Sequence, residues 1–98
     1  MFDRLLCVED FVPHVGTSFV IEEGDGESDA TLFEATPMGV HGHPNQRAPF
    51  SLLFRTSDRR ILEQRLYRLR HGMMGELNIF LVPIAQDGDG TVYEAAFN

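Results

Sequence analysis

The sequence predicts a mainly β fold: a small antiparallel β-barrel or sandwich of about six strands with one or two short helices. Apolar and polar residues alternate at period two over most of its length. Glycine-bearing turns separate the alternating runs, most clearly at Asp87-Gly88-Asp89-Gly90. A chain of 98 residues holds material for one hydrophobic core and not for two, so residues 1–98 are read as a single domain.

Each element has its own warrant. Phe2, Leu5, Leu6 and Val8 recur at helical spacing, which suggests a short helix or turn. Asp10 is placed to cap a second turn, and Pro13 limits it. Residues 17–22 are rich in β-formers, with Phe19 and Ile21 on one face. Residues 23–29 read as a loop and residues 31–35 as the returning strand of a first hairpin. Residues 37–49 hold three Pro and two Gly and form the longest irregular stretch. A strand over 50–55 then points Phe50, Leu52 and Phe54 one way.

Residues 58–71 carry two patterns. Ile61, Leu62, Leu66 and Leu69 fit a helical stripe that Asp58 would cap, whereas Tyr67, Leu69 and His71 alternate with Arg68 and Arg70 as in a strand with one wet face. The stretch is divided accordingly into one helical turn near 58–63 and a strand over 65–71. After a turn at 72–75, residues 77–84 are apolar on both faces and are expected in a central, well-covered strand, with Pro83 near its end or at a bulge. The Asp-Gly hairpin returns residues 91–97, with Tyr93 and Phe97 on one face. Residues 65–97 should thus form an antiparallel meander with 77–84 in the middle. Truncating Phe80 or Leu52 to Ala should cost about 2–5 kcal/mol.

Several stretches together resemble a known family. Pro49-Phe50-Ser51-Leu52-Leu53-Phe54-Arg55, then Tyr67-Arg68-Leu69-Arg70-His71 with Gly75, then Ile79-Phe80-Leu81-Val82-Pro83-Ile84, then Tyr93-Glu94-Ala95-Ala96-Phe97-Asn98 resemble a family of small bacterial single-domain proteins of unknown function. Phe11 with Val15-Gly16-Thr17-Ser18-Phe19 resembles that family's opening. The resemblance spans nearly the whole chain and implies the fold. Through the family's association with tail-collar-type fibre proteins it also implies a place beside a phage-like or fibre assembly. It implies no activity and no site residues. Where the family has a short glycine-containing approach to its Tyr-Arg-Leu strand, this chain departs with Arg59-Arg60-Ile61-Leu62-Glu63-Gln64.

Composition narrows the function classes. Hydrophobic content of 43% with 23% charged residues excludes wholesale disorder. No apolar run approaches the roughly 20 residues of a spanning helix, so membrane insertion is not expected. No cleavable leader is visible and Cys7 is the single cysteine, which points to a cytoplasmic location, or to export without a cleavable signal as part of an assembly. The net charge is -7, and all eight basic residues are Arg. Six of them, Arg55, Arg59, Arg60, Arg65, Arg68 and Arg70, fall within residues 55–70 beside two acids, while the remainder has two Arg against thirteen acids. That acidic remainder would repel phosphate, so no nucleic-acid partner is expected. An intramolecular complement, or contact with an acidic protein surface, fits better. If the six arginines form one interaction patch, it faces the acidic first hairpin of Glu22, Glu23, Asp25, Glu27 and Asp29, and head-to-tail self-association through the two becomes available. The same groups can also pair within one subunit.

The candidate chemistries are sparse. His41 and His43, with His14 or His71, offer metal-ligand types, but a zinc site wants four close ligands and loop histidines are more often solvated. Asp87-Gly88-Asp89-Gly90 has alternating carboxylates yet lacks the third acid and the bidentate Glu of a calcium loop. Cys7, Ser18 and Ser51 have no nucleophile elbow around them. The eight Phe and two Tyr are more simply a core than a ligand lining. The expectation is a non-enzymatic structural or protein-interaction domain without a cofactor, acting through a protein partner or self-association. The alternative is a small-molecule or metal-binding module built on the 37–49 loop and His71.

Overall fold

The computed structural model describes residues 6–39 and 48–98. A short helix, α1 (Val8–Phe11), runs into a single 3-10 turn over Val12–His14. Six strands follow: β1 (Ser18–Glu23), β2 (Gly26–Pro37), β3 (Phe50–Thr56), β4 (Arg65–His71), β5 (Gly75–Asp87) and β6 (Gly90–Phe97). Every pairing is antiparallel, and the strand order β1-β2-β3-β6-β5-β4 closes on itself through β1 and β4. The fold is therefore a closed six-stranded antiparallel barrel rather than a sandwich.

Period two explains the interior. Phe19 and Ile21, Leu32, Phe50, Leu52 and Phe54, Tyr67 and Leu69, Leu77, Ile79 and Leu81, and Tyr93 and Ala95 all point inward and are buried. Six strands enclose little more than the volume of these side chains, so the barrel is filled by its own core. Two bulges re-aim the longest strands. One lies between Leu32 and Glu34, turning out Phe33; the other lies between Pro83 and Ala85, turning out Ile84, which gives Pro83 its tolerated place beside a bulge.

The two ends are closed differently. At one end α1 lays Phe11 over Phe50 and Phe97, with ring centroids 5.9 Å and 5.8 Å away, while Phe50 and Phe97 stack at 4.5 Å. Asp10 works as a cap, although for the first turn: its Oδ2 accepts the Cys7 N–H at 2.7 Å. Phe2 and Leu5 lie outside the described residues. At the other end residues 57–64 cross from β3 to β4, which are not neighbours.

Three expectations need correction here. No helical turn forms at 58–63. Eight residues must bridge two separated strands, and extended chain reaches about twice as far per residue as helix. Asp58 accordingly caps no helix; its Oδ1 accepts the Arg60 N–H at 2.8 Å and its carbonyl accepts the Thr91 and Thr56 hydroxyls at 3.1 Å and 3.3 Å. The loop expected at 23–29 shrinks to a two-residue turn at Gly24 and Asp25, because Glu27, Ser28 and Asp29 pair in register with Glu22, Ile21 and Val20. The polar residues of this segment are paired across it: Arg70 on β4 binds both Glu22 and Glu27, and Ser28 donates to Glu23. Finally, β5 is the middle strand of the 65–97 meander as expected, but its outer face is uncovered: Phe80 is 47% and Ile84 50% exposed. Truncating Phe80 cannot then carry a core-sized penalty, whereas Leu52 is fully buried.

Candidate functional site

Of the six arginines, Arg55 lies on β3, Arg59 and Arg60 in the 57–64 crossover, and Arg65, Arg68 and Arg70 on β4. Arg68 and Arg70 face outward on β4 as the alternation requires, and their strand lies against β1, which carries Glu22. Arg70 Nε meets Glu22 Oε2 at 2.7 Å and also binds Glu27, while Arg68 stands 3.9 Å from Glu22. Glu27 and then Glu22 raise the Arg70 guanidinium above its ordinary value. Arg55 lies on β3, bonded to Asp87 at 3.1 Å and 3.2 Å and placed over the Phe33 ring. Asp87 is lowered first by the Asp89 N–H and then by Arg55. Arg60 pairs with Glu23 at 2.7 Å, Arg65 sits over the Tyr67 ring, and Arg59 lends its carbonyl to Gln86. Within the chain, Arg55, Arg60, Arg68 and Arg70 each stand within ion-pair distance of an acid.

The crossover 57–64 is fastened from below. Leu62 N–H donates to the Tyr93 hydroxyl at 2.9 Å, and the Tyr67 hydroxyl donates to the Glu63 carbonyl at 2.6 Å. Burial raises the Tyr93 phenol above its ordinary value, against the Leu62 N–H bond, which lowers it. An open depression of about 470 Å³ lies between this crossover and the β1–β2 turn, bordered by Glu23, Asp25, Glu27, Arg60, Glu63 and Arg65. Its charges are mixed, and Arg60 pairs with Glu23 at its border.

His71 is the most constrained polar group at the α1 end. Its Nδ1 accepts the N–H groups of Met73 and Met74 at 3.1 Å and 3.2 Å, so its proton sits on Nε2. That Nε2–H donates to Thr17 Oγ1 at 2.9 Å, and Thr17 Oγ1 donates to the His14 carbonyl at 2.6 Å. The ring also packs against Phe19 and His14, 4.3 Å and 4.6 Å between centroids. Burial, and His14 second, lower its basicity. Both ring nitrogens are thus used to hold the β4–β5 turn and the N-terminal cap. His41 and His43 lie outside the described residues, and among the described residues no three His, Cys, Asp or Glu converge as a metal site. Asp87 and Asp89 serve the hairpin turn, where Asp87 Oδ1 accepts the Asp89 N–H at 2.8 Å. Ser51 is buried and donates to Glu94 at 3.0 Å. Cys7 is half-buried at the start of α1.

What remains as surface chemistry is apolar. Leu66 and Phe80 are direct cross-strand partners on the outer face of β4 and β5, 60% and 47% exposed, with Ile84 further along β5. Sequence reading misses this face because residues 77–84 are apolar at both parities and look covered on both sides. The mark is present in the alternation itself: Ile79 and Leu81 share the inward parity of Leu77, which leaves Phe80 outside.

Fold and surface together define a small closed β-barrel with a filled interior, plugged ends and an apolar outer stripe. The chain belongs to the family described as Domain of unknown function (DUF6916), whose model matches residues 6–97. No curated protein and no solved structure matches the chain. Among the described residues no helix is long and apolar enough to cross a membrane.

Proposed function

We propose that this chain is a non-enzymatic structural or protein-interaction domain, an accessory or assembly subunit of a bacterial phage-tail-like or fibre system, working in the cytoplasm or exported as part of that assembly. The observation that carries the reading is the exposed Leu66–Phe80 pair on the outer barrel wall. Large apolar side chains exposed side by side on a small domain mark a binding face, since leaving them in water forfeits stabilisation they would gain on contact. The fibre setting rests on the resemblance of the Tyr67–His71 and Tyr93–Asn98 stretches to the family associated with tail-collar-type proteins.

A ligand module using the 37–49 loop and His71 has less support, because both His71 nitrogens already serve the fold. Co-expression with the proteins encoded beside it, followed by size-exclusion chromatography, tests the reading. Co-elution that is lost with Phe80→Asp supports it. A chain that elutes apart from every neighbour contradicts it.

A further inference from the structure

The outer wall around Phe80 is complementary to itself. On β5 the outward residues run Asn78, Phe80, Val82. Arg68 on β4 is the cross-strand partner of Asn78, and Glu94 on β6 is the partner of Val82. Relative to Phe80, Arg68 therefore sits one strand to one side and two residues back. Glu94 sits one strand to the other side and two residues forward. A cation and an anion occupy opposite positions about one exposed aromatic ring.

We propose that this face binds a second copy of the chain, forming a two-fold dimer centred on Phe80 against Phe80. A two-fold axis lying in the interface, perpendicular to the line from Arg68 to Glu94, carries each Arg68 onto the partner copy's Glu94. One operation makes both ion pairs, as an isologous contact requires. The same operation brings Leu66 of each copy over the Phe80–Val82 stretch of the other, so apolar groups meet apolar groups at the centre and opposite charges meet at the flanks. With strands about 4.8 Å apart and rising about 3.4 Å per residue, the β5 strands of the two copies cross at roughly 70°, close to orthogonal sheet packing.

The side chains are placed for it. Arg68 is 55% exposed, and its 3.9 Å approach to Glu22 is the longest ion pair among the described residues. Ser51 Oγ donates to Glu94 Oε2 at 3.0 Å and holds that carboxylate along the outer wall. Exposed pairs alone contribute little, so Phe80 and Leu66 supply the attraction and the charges set the orientation. Two convex barrel walls touch over a limited area, below the roughly 1,200 Å² of a standard interface, which makes the dimer weak and concentration-dependent.

This deepens the proposed interaction role by naming one partner for the Phe80 face, and it rests on that role. Sedimentation equilibrium of the full chain over about 5 µM to 1 mM tests it. Wild type should pass from one chain to two and stop at two. Phe80→Asp, an exposed substitution that leaves the core intact, should remain one chain throughout. Arg68→Glu should raise Kd at least tenfold, and Arg68→Glu with Glu94→Arg should recover most of that loss. Should Glu94→Arg fail to fold, Arg68→Glu with Glu94→Gln replaces it and should bind more tightly than Arg68→Glu alone, by removing a like-charge contact. A mass fixed at one chain to 1 mM, growth beyond two, or a dimer indifferent to Phe80→Asp would each overturn the proposal. A monomer that still co-elutes with a neighbouring gene product would remove the dimer while leaving the interaction role standing.

Discussion

Gly90 opens β6 opposite Asp87 with a φ of +131°, a conformation that L side chains rarely adopt. A Cβ placed there would lie 1.7 Å from the Thr56 carbonyl oxygen, 2.8 Å from its carbon and 3.0 Å from Ser57 Cα. These are backbone atoms at the end of β3, which pairs with β6 through Thr56 and Thr91, so no side chain can swing aside. At Gly88, two residues earlier in the same turn, an added Cβ would meet nothing within 4 Å. Gly90→Ala combines a strained backbone, about 1–3 kcal/mol, with displacement of packed structure, about 1–3 kcal/mol more. A total loss of about 2–6 kcal/mol is expected, against about 0.5 kcal/mol or less for Gly88→Ala. Urea unfolding followed by circular dichroism measures both, provided the slopes agree. Complete loss of a cooperative transition in Gly90→Ala fits the upper end. A Gly90→Ala protein within about 0.5 kcal/mol of wild type would refute the argument that the approach of β3 fixes this position.

The same denaturation assay separates the two faces of the barrel: Leu52→Ala, fully buried, should cost about 2–5 kcal/mol, and Phe80→Ala, half exposed, about 1 kcal/mol. Equal losses would contradict the assignment of Phe80 to the outer wall. His71 predicts a pH dependence. Its folded value is lowered, so its contribution to stability is complete above the ordinary histidine value of about 6.5 and is lost as pH falls below it toward the folded value, where the unfolded chain takes up a proton that the folded chain resists. Melting temperatures from pH 7.5 to 5 should therefore fall less steeply in His71→Gln than in wild type; matching slopes would count against the Thr17–His71–Met73 network.

The alternation of Phe19 with Ile21, of Phe50 with Leu52 and Phe54, and of Tyr93 with Phe97 was enough to place most of the core, because a period of two leaves only one face to bury. The meander and its central strand followed from two short turns. Barrel closure was not legible, since the β1–β4 pairing joins segments nearly fifty residues apart. The extension of β2 through Glu27 and Ser28 was hidden because local composition favours a loop, whereas these residues pair in register with β1 and Glu27 also meets the distant Arg70. Residues 58–63 looked helical because Asp58, Ile61 and Leu62 sit at helical spacing, yet the distance to be crossed decides their extended course. The arginine cluster was visible in the sequence, but its division among β3, β4 and the crossover depends on which way each strand faces.

The central claim is that this barrel works by its outer wall and not by anything held inside it. Native mass spectrometry of the purified full chain tests that claim most directly, because one spectrum reads both stoichiometry and any retained small molecule. Species at one and two chain masses are expected, carrying no stoichiometric adduct, with the two-chain species growing as concentration rises. A single-chain species that retains one metal ion or one small molecule per chain would contradict it.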